Sequence, residues 1–210
     1  MGSNAAYLYP PPGRASTLAR IVSYVINPVF AGIFIVVFLT FRALEDPVQA
    51  TKWVSFAILL VAIPPISYVV YLVKIGYLVD IFMPDRKRRI KPMTVIVAWI
   101  VISILIMSGL QAPLAIILLL AACVVQIGLM LIITFVLKIS FHTAVISAAA
   151  AITLLVGGKI SLIVVPLVPL VGWARVHLRR HTRQEVLIGC LIGAIVGALA
   201  YFTLQYYVNI

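Results

Sequence analysis

Apolar positions run along this chain in uninterrupted blocks rather than alternating with polar ones. The blocks Ile21 to Phe41, Trp53 to Leu72, Met93 to Leu110, Pro113 to Leu137 and Val186 to Tyr206 are each close to the roughly 17 to 25 residues that a helix needs to cross a bilayer. Between His142 and Trp173 the pattern is broken by Gly157, Gly158 and Lys159, which predicts two short spans joined by a tight turn. The expected fold class is all-α, a polytopic helical membrane protein of about six to seven transmembrane helices, because a backbone in lipid must satisfy its own hydrogen bonds. Residues 1–20 read as a polar N-terminal segment and residues 21–210 as a single transmembrane helical domain. Pro64, Pro65, Pro166 and Pro169 fall inside spans, where neighbouring groups must take over the carbonyls they leave without donors.

Composition agrees. With 64% hydrophobic residues and a mean hydropathy of +1.22, a chain of 210 residues has more apolar surface than a water-soluble core of that size can hide. The apolar stretch after the polar N-terminus is too long for the core of a signal peptide, so the first span is expected to be retained. Cys123 and Cys190 both lie inside apolar runs and suggest neither a disulfide framework nor a zinc site.

Charge is what distinguishes the chain. It carries 16 Lys and Arg against 5 Asp and Glu, a net charge of +11. With seven spans, the N-terminus, Lys74 to Lys91, Lys138 to His142 and Arg175 to Glu185 emerge on one side, which then holds 13 of the 16 basic residues. Arg42, Lys52 and Lys159 lie on the other. By the positive-inside bias the basic face is cytoplasmic and the protein a multi-pass component of the cell membrane. Its expected partners are membrane lipids, with anionic headgroups attracted to that face, and no nucleic acid.

Three polar clusters fall on that face. The first is "DIFMPDRKRRIKP", Asp80 to Pro92, which read alone is a solvated, lipid-attracting loop. The second is "KISFHTA", where Lys138, Ser140 and His142 interrupt an apolar run. The third is "RVHLRRHTRQE", Arg175 to Glu185. There His181 and Glu185 stand four apart and would meet on one helical face, a carboxylate on one ring nitrogen fixing the tautomer so that the other can act as nucleophile or base. Arg175 can join them only if the helix breaks before His181. In the last span Gly189, Gly193 and Gly197 recur every four residues, a stripe that lets another helix approach closely, with Glu185 on the same side.

Arg175, five residues, His181, three residues, Glu185 resembles the third signature of the type 2 phosphatidic acid phosphatase family, Ser-Arg, five residues, His, three residues, Asp. "SFH" at Ser140 to His142 resembles that family's second signature, Pro-Ser-Gly-His, and the two short spans between the clusters are similar too. The first signature, Lys, six residues, Arg-Pro, is poorly matched: Lys91-Pro92 stands in for Arg-Pro, but Pro84 occupies the place of the Lys, with Arg86, Lys87, Arg88 or Arg89 as candidates for the missing charge. Ala174, Phe141, Ile139 and Glu185 depart from the signature Ser, Gly, Pro and Asp.

The resemblance covers about residues 80–200 and implies a phosphatase-like helical core there. It implies that His181 attacks phosphorus and forms a phosphohistidine, that Glu185 orients it and that His142 protonates the leaving group. Arg175, Ser140 and Lys91 would hold the phosphate oxygens, with Arg89 and Lys138 in the same substrate-binding set. The implied activity is metal-independent hydrolysis of a lipid phosphate or diphosphate monoester, such as phosphatidate, phosphatidylglycerol phosphate or an isoprenyl diphosphate, without a cofactor. A phosphotransferase with the same chemistry is the nearest alternative. His177, His181 and Glu185, at steps of four on one continuous helix, would instead resemble a metal site, against which Arg179, Arg180 and Arg183 weigh by repelling a cation. A transporter or headgroup-binding protein is the remaining class, though no acidic residue stands in mid-span to couple ions.

Overall fold

The structure, a computed structural model, describes residues 13–210. Of the expected polar N-terminal segment, residues 1–12 lie outside the described residues, and Arg14 to Arg20 are already helical. Every regular element among the described residues is a helix: α1 (Arg14–Val25), α2 (Pro28–Ala43), α3 (Pro47–Ala57), a π-helical turn (Ile58–Ala62), α4 (Ile63–Lys74), α5 (Arg86–Gly109), α6 (Leu114–Thr134), α7 (Phe141–Val156), α8 (Ile160–Val164), α9 (Leu167–His177) and α10 (Arg183–Val208). Five stretches are long and apolar enough to cross a membrane, namely Pro47–Lys74, α5, α6, Ile160–His177 and α10, and α1 with α2 makes a sixth if the bent pair is one span. This is the architecture of a polytopic helical membrane protein. The remaining apolar helix is α7, 16 residues long.

The single first span expected over Ile21 to Phe41 is broken, with α1 and α2 meeting at 43°. Pro28 has no N–H, so the Tyr24 carbonyl one turn earlier loses its donor. Asn27 resolves this by itself: its Nδ2 donates to Tyr24 O at 2.9 Å, while its Oδ1 caps α2 by accepting from Val29 N at 2.9 Å and Phe30 N at 3.1 Å. Pro64 creates the same vacancy at Leu60, where the chain passes through its π turn, and there the indole Nε1 of Trp99 on α5 donates to Leu60 O at 2.8 Å. A helix that would be costly in lipid is thereby kept continuous from Pro47 to Lys74.

The first basic cluster is a loop only as far as Asp85. Asp85 caps α5 with Oδ1 accepting from Lys87 N at 2.9 Å, so Arg86 to Lys91 form the opening turns of the helix. Arg86 Nη1 donates to the Phe135 carbonyl at 3.3 Å and also to that of Val136, just beyond the end of α6. Arg88 donates to Tyr77 O at 3.0 Å.

The chain divides into two compact units, residues 13–32 with Lys138–Leu199, and Ile33–Leu137 with Ala200–Ile210. In the second, α5 and α6 pack along each other, burying Ile100, Met107, Ile116 and Leu120 together with Ala57 of α3. In the first, α9 packs against both α1 and α7. α7 and α8 are separated by the turn at Gly157 and Gly158, whose φ values of 80° and 89° suit glycine, as the expected pair of short spans requires. The glycine stripe of α10 lies on α7. A Cβ at Gly189 would stand 2.7 Å from Ser140 O, at Gly193 1.9 Å from Ala144 O, and at Gly197 2.5 Å from Ala148 O. These are backbone atoms that cannot turn aside, so the two helices touch main chain to main chain.

Gly193→Ala is therefore expected to lower stability by about 1–3 kcal/mol through overpacking, whereas Gly128→Ala, with nothing within 4 Å of its Cβ, leaves it unchanged or slightly raised. Thermal unfolding of both variants in detergent checks this; equal midpoints would mean that α7 and α10 do not meet through the stripe.

Candidate functional site

The helix break required between Arg175 and His181 is present and has a backbone cause. Arg179 adopts φ 53°, the left-handed conformation that closes many helices, though here without the usual glycine. The N–H groups of Leu178 and Arg179 donate to Ala174 O at 3.0 Å and Val176 O at 2.9 Å. Those of Arg180 and His181 both donate to the Arg175 carbonyl, at 3.1 and 3.3 Å. The main chain of one candidate residue thus anchors the turn that carries the next.

α10 then begins with a capping box. Thr182 Oγ1 accepts from Glu185 N at 3.2 Å, and Glu185 Oε2 accepts from Thr182 N at 3.4 Å. The same Oε2 stands 2.7 Å from Nδ1 of buried His181. The expected His181–Glu185 pair is formed, but not on one helical face: His181 lies outside the helix, before the Thr182 cap, and the carboxylate reaches back to it. One oxygen serves both the helix terminus and the imidazole.

The Lys138 to Thr143 segment is fastened to this turn from the other side. Ser140 N donates to Glu185 O at 3.2 Å, Thr143 Oγ1 approaches Val186 O at 3.3 Å, and Lys138 Nζ donates to Arg180 O at 2.8 Å. The Ser140 hydroxyl, expected to hold phosphate, is fully buried and caps α7 by accepting from Thr143 N at 3.4 Å. His142, in the first turn of α7, is buried, its ring hydrogen-bonded to the backbone of Ser23 on α1, and the charges of Arg175 and His181 both act on it. Arg175 is itself buried, at 3% exposure. His142, Arg175, His181 and Glu185 therefore share one neighbourhood, with Ser140 and Lys138 on its wall.

The other expected residues lie in the second unit. Arg89 is buried near the start of α5, and Lys91 places its ammonium 5.2 Å from the centre of the Tyr77 ring. The alternative metal alignment is not formed, because α9 ends at His177 and the three groups do not share a helix. His177 turns to α1, with its Nε2 3.0 Å from Ser16 Oγ, and stacks on Trp173 at 5.3 Å between ring centres. Among the described residues no group of three His, Cys, Asp or Glu is placed to hold a metal ion.

Two contributors were not singled out from the sequence. Thr182 was visible as the first residue of a Thr-x-x-Glu box, a spacing with a physical meaning at a helix start. Ser23, which serves through its backbone, left no signal, since any residue in its place has the same carbonyl.

Arg179 is held in a conformation that costs a non-glycine residue about 1–2 kcal/mol. Arg179→Gly is expected to stabilise the protein by up to about 1 kcal/mol, after the added entropy of the unfolded chain is deducted. A fall in the unfolding midpoint would show instead that the Arg179 side chain holds the turn.

Comparison with protein-family models, curated proteins and solved structures finds no match for the chain.

Proposed function

We propose that the chain is a membrane-embedded lipid phosphatase that hydrolyses a phosphate or diphosphate monoester of a lipid through a phosphohistidine, as its likeness to the type 2 phosphatidic acid phosphatase signatures suggests. The observation that carries this is the 2.7 Å contact between His181 Nδ1 and Glu185 Oε2 in the same neighbourhood as buried Arg175 and His142. A carboxylate on Nδ1 holds the proton there and directs the lone pair of Nε2 outward, the state an attacking imidazole needs.

In the first step Nε2 forms a bond to the terminal phosphorus and the bond from that phosphorus to the ester oxygen of a monophosphate, or to the bridging oxygen of a diphosphate, breaks, with His142 giving its proton to the leaving oxygen. In the second, water attacks phosphorus, His142 takes the water's proton, the P–N bond breaks and inorganic phosphate leaves. Arg175 supplies fixed positive charge to the phosphoryl oxygens, on which charge accumulates in flight. Ser140 enters this scheme through α7: its cap sets the helix terminus whose first turn carries His142. The basic face is proposed to lie in the cytoplasm, from the bias of Lys and Arg toward that side.

The test is phosphate release by the purified protein in detergent micelles from phosphatidate, phosphatidylglycerol phosphate and an isoprenyl diphosphate, with EDTA present. His181→Ala is expected to abolish release and Arg175→Ala to reduce it about 100-fold or more, both remaining folded. Glu185→Gln is expected to slow release by up to about 10⁴-fold, as loss of an orienting carboxylate that fixes the tautomer can, while Glu185→Asp keeps much of the rate. Full turnover in His181→Ala, or release abolished by EDTA, would reject the mechanism; no release from any lipid would favour a transferase lacking its acceptor or a headgroup-binding protein.

A further inference from the structure

The turn from Leu178 to Thr182 carries the proposed nucleophile, and its two ends are held differently. Its entry is fixed by main-chain bonds to the last turn of α9, ending with the N–H groups of Arg180 and His181 on Arg175 O. Its exit is fixed at Thr182 by the capping box. Between them stands the Arg180 carbonyl, in the peptide group that directly precedes His181 and follows a residue in left-handed conformation. That carbonyl lies outside both helices. The ammonium of Lys138 donates to it at 2.8 Å across 42 residues of sequence, in a partly buried setting.

From this we infer that Lys138 is a positioning residue for His181, resting on the phosphatase proposed above: its ammonium fixes the Arg180–His181 peptide and so the place from which the imidazole meets both Glu185 and phosphorus. The sequence put Lys138 among the substrate-binding cations, but its Nζ is engaged with the protein's own backbone. A donor bearing a full charge makes this bond stronger than a neutral one. Lys138 also lies two residues before Ser140, whose N–H bonds Glu185 O. The segment entering α7 therefore grips the turn at Arg180 and the helix start at Glu185, on either side of the proposed nucleophile.

The assignment separates from a direct role in binding phosphate. A cation that holds substrate oxygens affects KM when lost; one that aims the nucleophile affects kcat, and a displacement of about 1 Å can cost about 100-fold. Lys138→Met keeps the length and apolar stem but has no donor, whereas Lys138→Arg keeps a charged donor.

Two measurements on the purified full chain test this. In amide hydrogen exchange, Lys138→Met is expected to raise exchange at least tenfold across residues 178–182, with Lys138→Arg close to wild type, and exchange in α5 and α6 unchanged in both. In phosphate release, Lys138→Met is expected to lower kcat about 10- to 100-fold with KM within about twofold, and Lys138→Arg to restore most of the rate. Unaltered exchange in Lys138→Met overturns the inference whatever the kinetics show, as does a rise in KM with kcat preserved. If wild type releases no phosphate but exchange changes as expected, the phosphatase proposal fails while Lys138 still holds the turn.

Discussion

The contact between α7 and α10 is the constraint on which the rest of the candidate site depends. Three glycines spaced by four bring the α10 backbone against that of α7 at Ser140, Ala144 and Ala148, closer than any side chain would allow. Only at that separation can Ser140 N reach Glu185 O and Thr143 Oγ1 approach Val186 O. Those bonds in turn set His142, which lies between Ser140 and Thr143 in the sequence, beside the turn that holds His181. Without water between helices, close packing of small residues and polar bonds at their rim are what membrane helices have to associate with. The same contact therefore supplies both the cohesion of the first unit and the register of its polar end.

A second device recurs in both units: at several points where the chain departs from a regular helix, a nearby side chain takes the place of the missing donor. Asn27 serves Tyr24 O ahead of Pro28, Trp99 serves Leu60 O ahead of Pro64, and Arg86 serves Phe135 O at the end of α6. In water these carbonyls would find solvent; in hydrocarbon each would cost several kcal/mol, of the order of about 4–8 for transfer to an alkane. Breaks are accordingly affordable only where the sequence provides such a donor. The turn at Arg179 to His181 is the most elaborate of them, using main chain, a lysine and a capping box at once.

What the sequence made legible follows from this. Long apolar blocks report spans, and a four-residue glycine period reports a close helix neighbour, because both are properties of one residue type at one spacing. The His181–Glu185 pairing was legible as a spacing, but its geometry was not, since the Thr182 cap shifts the helix start and places His181 outside it. The break at Asn27 and the helical opening of α5 at Asp85 depend on single capping residues set against strong apolar or charged runs, and a pattern averaged over a window of residues passes over them. Lys138 could not be resolved at all from sequence: a lysine beside a histidine looks the same whether it meets a phosphate or a carbonyl.

Net charge has to be interpreted in that light. A surplus of +11 invites an explanation in anionic lipid or substrate. Yet Arg86, Arg88 and Lys138 all donate to backbone carbonyls at points where helices end or turns begin. Helix C-termini and exposed carbonyls carry partial negative charge, so cations gather there for the fold's own sake. Such residues cluster at membrane interfaces because that is where helices end, and they count toward the positive-inside bias without contacting a headgroup. Under the proposed phosphatase, the cations for the substrate are then those held close to His181 for another reason. Arg175 is the clearest of these: its backbone carbonyl is committed to the turn, while its guanidinium is carried into a buried neighbourhood already containing His142 and His181. A charge buried next to two imidazoles is expensive for the folded state.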